Sequence, residues 1–315
     1  MSVLDRINAR LLGCVLVICL SGAALIGAPA ASAFRVGSTY LALGDSLAYG
    51  FHEKQFKEEF PNVKPETFDE GYVNDFAGLL QIFRPGITLI NDGCPGETTE
   101  TMIHGSGIPG FCAGGPTGTP FPYIWLHHPY NASSQLADAL AMLHERANVS
   151  PITLDIGAND ALQFLASTCG FPTADRCTEA QFIAEYTKIG ENTAYILSAL
   201  RGAAPHAQII LLGLYNPYPG VPTEGGDKLT AGLNEALEKA AAAVPGVSFA
   251  NPEPLFNPSI IFGLPETDDY PTICAFTAMC PGGSFNPTSP EADIHPTKLG
   301  YEVLAGVVAF DFLTH

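Results

Sequence analysis

The stretch Tyr40–Gly50, YLALGDSLAYG, decides how the chain is read. A short apolar run halts at Gly44, and the chain turns at once through Asp45 and Ser46. A strand buried in a sheet and ended by glycine turns sharply enough to hold a hydroxyl at the sheet's carboxyl edge, where α/β proteins build their sites. Ser46 is therefore read as a candidate nucleophile. Taken alone, Gly-Asp-Ser is also ordinary turn chemistry after a strand. The rest of the chain decides between the two readings.

Outward from that turn, apolar runs alternate with helical periodicity. Tyr72, Phe76, Leu79, Leu80 and Phe83 mark one stripe of a helix that Pro85 closes. Residues 86–91 read as a second strand, ending in the turn Asp92-Gly93-Cys94-Pro95-Gly96. Ser134 is placed to cap a helix, Pro151 to open a third strand, ITLDIG, and Gln208–Leu214 to form a fourth, apolar throughout. Helices are expected from Glu179 to about Ala204, over 227–243 and over 297–312, with a short fifth strand at Val247–Ala250. Residues 51–69 and 252–290 show no regular period. Continuously apolar strands between helices mean a parallel sheet covered on both faces, an α/β fold in three layers (α/β/α) with about five strands.

Residues 1–33 carry Arg6 and Arg10, an apolar run from Leu11 to Ile26, and Ala31-Ser32-Ala33, the pattern of a cleaved secretory signal peptide. The run is short for a membrane span, and its placement after Cys14 argues against a lipoprotein box. Residues 34–315 then form one domain with no repeat and no break in composition. Without the leader, 12 basic residues face 31 acidic ones, a net charge of −19, which disfavours nucleic acid and anionic headgroups as partners.

Six cysteines remain, Cys94, Cys112, Cys169, Cys177, Cys274 and Cys280, in three sequence-local pairs within Gly/Pro-rich stretches. In an exported chain this argues for three disulfides; six cysteines allow fifteen connectivities, which the sequence leaves open, and nearest-neighbour pairing is the expectation that proximity favours. Residues 104–132 form a long Gly/Pro/aromatic loop containing Trp125, a candidate groove wall. His127 and His128 lie there without spaced partners and are read as solvated, and no metal centre is expected.

In a parallel sheet every strand-to-helix turn opens at one edge, so Ser46, Gly96 and Asn159 converge, and a late His295 supplies a base. Here the chain resembles the SGNH, or GDSL, hydrolase superfamily. The first block is GDSLAYG, the second spans 91–99 with Gly96, the third is Gly157-Ala158-Asn159-Asp160 and the fourth His295-Pro296-Thr297. The resemblance implies a flavodoxin-like sandwich, Ser46 as nucleophile, His295 as general acid/base, and an oxyanion hole from Ser46, Gly96 and Asn159. The family's acid sits three residues before the histidine, where this chain has Ala292. Asp293 stands two before and Glu291 four before, so either Asp293 or a backbone carbonyl orients His295.

Three local disulfides also resemble the secreted lipase/esterase branch found in actinomycetes. The expected protein is a secreted ester hydrolase without cofactor, a monomer acting on small-molecule or lipid esters, with no stable membrane insertion after cleavage. Phe51, Phe56, Tyr123, Trp125 and Tyr218 are candidates for its pocket. A polysaccharide O-acetylesterase and a non-catalytic extracellular binding protein on the same fold are the rival readings.

Overall fold

Five parallel strands organise the computed structural model, which describes residues 36–112, 121–171, 174, 176–221 and 226–315. They are β1 (Thr39–Gly44), β2 (Thr88–Asn91), β3 (Val149–Asp155), β4 (Ile209–Leu212) and β5 (Val247–Ala250), in spatial order β2-β1-β3-β4-β5. Every residue of β1, β3 and β4 is buried, which explains their largely apolar character. The main helices are α1 (Ser46–Tyr49), α2 (Glu53–Glu59), α3 (Tyr72–Phe83), α4 (Thr99–His104), α5 (Gln135–Glu145), α6 (Ala158–Phe164), α7 (Glu179–Ala203), α8 (Gly226–Ala242) and α9 (Lys298–Thr314). The expected signal peptide at 1–33 lies outside the described residues.

Strand alternation assigns the two faces. Leu41, Leu43, Ile152, Leu154, Ile209 and Leu211 form one core with α5, α7 and α8. Tyr40, Ala42, Ile210 and Leu212 form the other with α3 and α9. The order 2-1-3-4-5 places the topological switch between β1 and β3, the crevice where such sheets bind ligands. Ser46 follows β1 and Asn159 follows β3, one on each side of that crevice.

Cys94–Cys112, Cys169–Cys177 and Cys274–Cys280 are bonded, so each cysteine pairs with its neighbour in sequence. Ser134 caps α5, its hydroxyl accepting the Ala137 N–H at 3.2 Å. Other expectations need correction. Residues 51–69 are not irregular: α2 occupies 53–59, and a 3-10 turn occupies Pro65–Phe68. The helix α2 was hidden because it has no buried residue and hence no apolar stripe. Likewise 252–290 contains three short α-helices, Glu253–Phe256, Ser259–Phe262 and Tyr270–Phe276, and two 3-10 turns, Glu266–Asp269 and Pro281–Gly283. The third strand begins at Val149, before Pro151, and its pairing with β1 shifts register there, as suits a residue without an N–H to give the ladder. The fourth strand ends at Leu212, because Leu214 bonds to Asn234 of α8 through both its N–H and its carbonyl, each at 2.8 Å.

Candidate active site

The turn after β1 is built around Asp155. Gly44 pairs with Asp155 across the sheet and has φ +144°; a Cβ there would stand 2.4 Å from the Asp155 carbonyl and 2.6 Å from its carboxylate, so only glycine fits. Asp155 Oδ2 accepts the N–H groups of Asp45 (3.1 Å) and Ala48 (3.3 Å), while its Oδ1 accepts the Tyr72 hydroxyl at 2.6 Å. Asp45 Oδ1 accepts the Leu47 N–H at 2.9 Å and caps α1. Ser46 is thus the first residue of a four-residue helix anchored by two buried carboxyl groups. Burial pushes both carboxyls up, and the Asp45 charge adds to the rise at Asp155.

His295 lies across from it. Its Nε2 is 2.9 Å from Ser46 Oγ, and its Nδ1 is 2.5 Å from Asp293 Oδ1. Asp293–Pro296 is extended and pairs antiparallel with Thr277–Ala278. In extended backbone residues i and i+2 project to the same side, which lets an acid two residues before the histidine meet its ring. The other oxygen, Asp293 Oδ2, accepts the Glu53 N–H of α2 at 2.9 Å. Burial would raise the Asp293 carboxyl, but the adjacent His295 outweighs it and holds the group well below the usual range. Burial would lower the His295 imidazole; the Asp293 charge and hydrogen bond reverse the direction and raise it. The Phe51 ring packs against His295 with centroids 4.8 Å apart.

Asn159, in the first turn of α6 and buried, donates its side-chain amide to Asp45 Oδ2 and to the Glu97 carbonyl, both at 3.1 Å. Gly96, with φ +83°, immediately precedes Glu97 in the turn held by the Cys94–Cys112 bond. Through these contacts the structure connects Ser46, Asn159 and the Gly96 turn. Below them lie further buried acids: Asp160 accepts the Thr99 N–H and hydroxyl, and burial pushes Glu97 up to about 8.

Ser46, Asn159 and His295 open onto a cleft of about 890 Å³, including the part open to solvent. Its lining is mostly apolar and includes Leu162, Leu165, Phe171, Leu214, Leu229 and Leu233. Of the aromatic residues expected there, only Tyr218 lines it. Phe51, Phe56, Tyr123 and Trp125 pack instead on a satellite core around Tyr49, Phe68 and Phe121. The Tyr49 hydroxyl donates to the Trp125 carbonyl at 2.8 Å, so the described part of the 104–132 loop braces α1 and contributes no wall to the cleft. The leucines of the cleft escaped sequence reading because Leu162/Leu165 and Leu229/Leu233 have the spacing of a core stripe. Asp155 was equally hidden, lying inside an apolar strand.

The two neighbouring loop histidines are partnered, contrary to expectation. His127 Nε2 donates to the Tyr49 carbonyl at 3.0 Å, and His128 Nδ1 lies 2.8 Å from Asp92 Oδ1. Cys94 and Cys112 lie near Glu97 but are committed to their disulfide.

This arrangement of sheet, turn and side chains agrees with what similarity to known proteins shows. The chain belongs to the GDSL-like lipase/acylhydrolase family, whose model matches residues 42–303; it is a family of ester hydrolases. Among solved structures, a lipase from a goat rumen metagenome superposes with TM-score 0.52 at 18% identity, covering 87% of this chain and 96% of that one. An extracellular lipase from Streptomyces rimosus matches with TM-score 0.52 at 18% identity, covering 87% of this chain and 99% of that one. At such identity the likeness is one of fold. No curated protein sequence matches the chain significantly.

Proposed function

We propose that the protein is a secreted serine carboxylic ester hydrolase of the lipase/esterase kind, working through an acyl-Ser46 intermediate. The observation that carries the reading is the continuous chain Ser46 Oγ to His295 to Asp293, with gaps of 2.9 and 2.5 Å, at the mouth of an apolar cleft. His295 Nε2 takes the serine proton as Oγ attacks the ester carbonyl, then returns it to the departing alcohol. Water enters by the same base and releases the acid. Asp293 fixes the tautomer that leaves Nε2 free to accept and stabilises the imidazolium. The developing oxyanion is held by the N–H groups of Ser46 and Gly96 and by the Asn159 amide, the last preoriented by Asp45 and Glu97.

An apolar cleft favours acyl chains over acetyl groups on a sugar, which supports a lipase or esterase above a polysaccharide O-acetylesterase. Intact nucleophile, base and acid favour an enzyme over a binding protein. Three disulfides support an oxidising, extracellular setting, and among the described residues no helix is long and apolar enough to cross a membrane. Cleavage after Ala33, one domain over 34–315, and a monomer acting without cofactor complete the proposal.

A p-nitrophenyl ester series from acetyl to palmitoyl, run beside Ser46→Ala, tests it. The expected result is a maximum at chains longer than acetyl, with turnover at least about a thousandfold lower in the variant. Activity confined to acetyl would support the deacetylase instead, and equal activity of the variant would remove Ser46 from the mechanism.

A further inference from the structure

Away from the cleft, three side chains from separate segments meet. Asp92 follows β2 and is 0% exposed; His128 belongs to the long loop; Asp138 sits in the first turn of α5. His128 Nδ1 lies 2.8 Å from Asp92 Oδ1 and 3.8 Å from Asp138 Oδ2. One donor atom from each residue falls within 4.8 Å of the others, so small side-chain movements bring them to the separations, below about 4.4 Å, that bonds of about 2.0–2.2 Å to one dication require.

A second observation is independent of this proximity. Asp92 Oδ2 is buried and has no hydrogen-bond partner among the described residues, although a buried oxygen without a partner is costly. The carboxylate thus keeps an unused pair of electrons beside the cluster. Asp138 is held in place from outside, its Oδ1 accepting the Asn131 N–H at 2.7 Å, the kind of supporting bond that orients a metal ligand. Two carboxylates and a neutral imidazole carry the charge that a dication cancels. His128 also lines a surface pocket of about 540 Å³ with Asp69, Asn74 and Asn91, which gives an access route.

We propose that Asp92, His128 and Asp138 bind one transition-metal dication of the zinc type, with water completing its shell. An imidazole among two carboxylates suits zinc better than calcium or magnesium, which take oxygen ligands. On binding, the metal takes the lone pair of His128 Nδ1 and the ring's one proton moves to Nε2, so the imidazole stays neutral. None of the three residues lines the catalytic cleft. The ion would join the base of the Gly96 turn to the long loop and to α5, a bracing role separate from ester chemistry.

Calorimetric titration of the purified, disulfide-bonded protein with zinc chloride tests the site, alongside His128→Ala and Asp138→Asn, with near-UV circular dichroism as the check on folding. His128 is partly exposed, so its variant is the one least prone to misfold. One equivalent of zinc bound by the wild type, with binding at least tenfold weaker in the folded variants, is the expected result. Absence of stoichiometric binding, or folded His128→Ala binding zinc as the wild type does, would overturn the proposal. Because the readout is the metal and not ester turnover, either outcome leaves the catalytic reading untouched.

Discussion

Asp293 and His295 share one side of an extended segment, and that fact carries most of the electrostatics at the site. With Asp293→Asn, kcat/KM should fall by about a thousandfold or more, because the tautomer and the counter-charge are lost together. The pH profile should also move. His295 must be neutral to act, and its folded value is raised, so the wild-type acid limb should lie above about 6.5. Once the carboxylate is gone, burial remains and pulls the imidazole down, and the limb should move to lower pH. A raised histidine stabilises below its unfolded value and loses the contribution as pH rises through the folded one; a lowered carboxyl stabilises above its unfolded value and loses it in acid. The stability gap between wild type and variant, read as Tm, should therefore be widest between about pH 4 and 6.5. Asn159→Ala should cost a factor of about a hundred to a thousand in kcat with little change in KM. Ser46, Asn159 and His295, which the structure brings to one cleft, each stand in a short sequence block, and those blocks are what made them candidates. The choice of Asp293 over a backbone carbonyl was not legible in sequence, because it depends on whether the chain before His295 is extended or turned.

The elements around the cleft set the expected specificity. Leu233 of α8 and Leu162 of α6 lie on its walls, and one added or removed methylene in an apolar pocket is worth about tenfold or more in selectivity. Leu162→Trp should lower kcat/KM on octanoyl esters at least about tenfold while leaving acetyl esters within a few-fold, as measured on the p-nitrophenyl series. If both fall together, the acyl chain does not enter between α6 and α8. The turn after β2 depends on the Cys94–Cys112 bond, with a sequence separation of 18. Replacing both cysteines by serine should cost about 3 kcal/mol in chemical denaturation. At this scale the sequence was informative where helices have a buried stripe, as α3 does with Tyr72, Phe76 and Leu80. It was silent for α2, which has none, and misleading for Trp125, whose aromatic loop pattern fits a groove wall and a satellite core equally well.

Across the whole molecule, the balance of buried acids gives stability an unusual slope. Glu97 is pushed up to about 8, and Asp155 and Asp160 are also raised, chiefly by burial. Glu97 thus ionises in the unfolded chain near pH 4 but keeps its proton in the fold to about pH 8, so stability falls as pH rises between those values. Tm should decline from about pH 5 to 8, and Glu97→Gln should flatten the decline; an unchanged slope in the variant would show that Glu97 is ionised in the fold. The layered architecture itself was readable from apolar strands alternating with helices, whereas the strand order is a product of long-range pairing and has no local signature. Everything proposed about function rests on Ser46 being activated by His295. Intact-protein and peptide mass spectrometry after treatment with a fluorophosphonate measures this most directly, with His295→Ala treated in parallel. One adduct is expected, carried on Ser46, its formation slowed at least about a hundredfold in the variant. No adduct, or an adduct on Ser46 formed equally fast without His295, would contradict that activation.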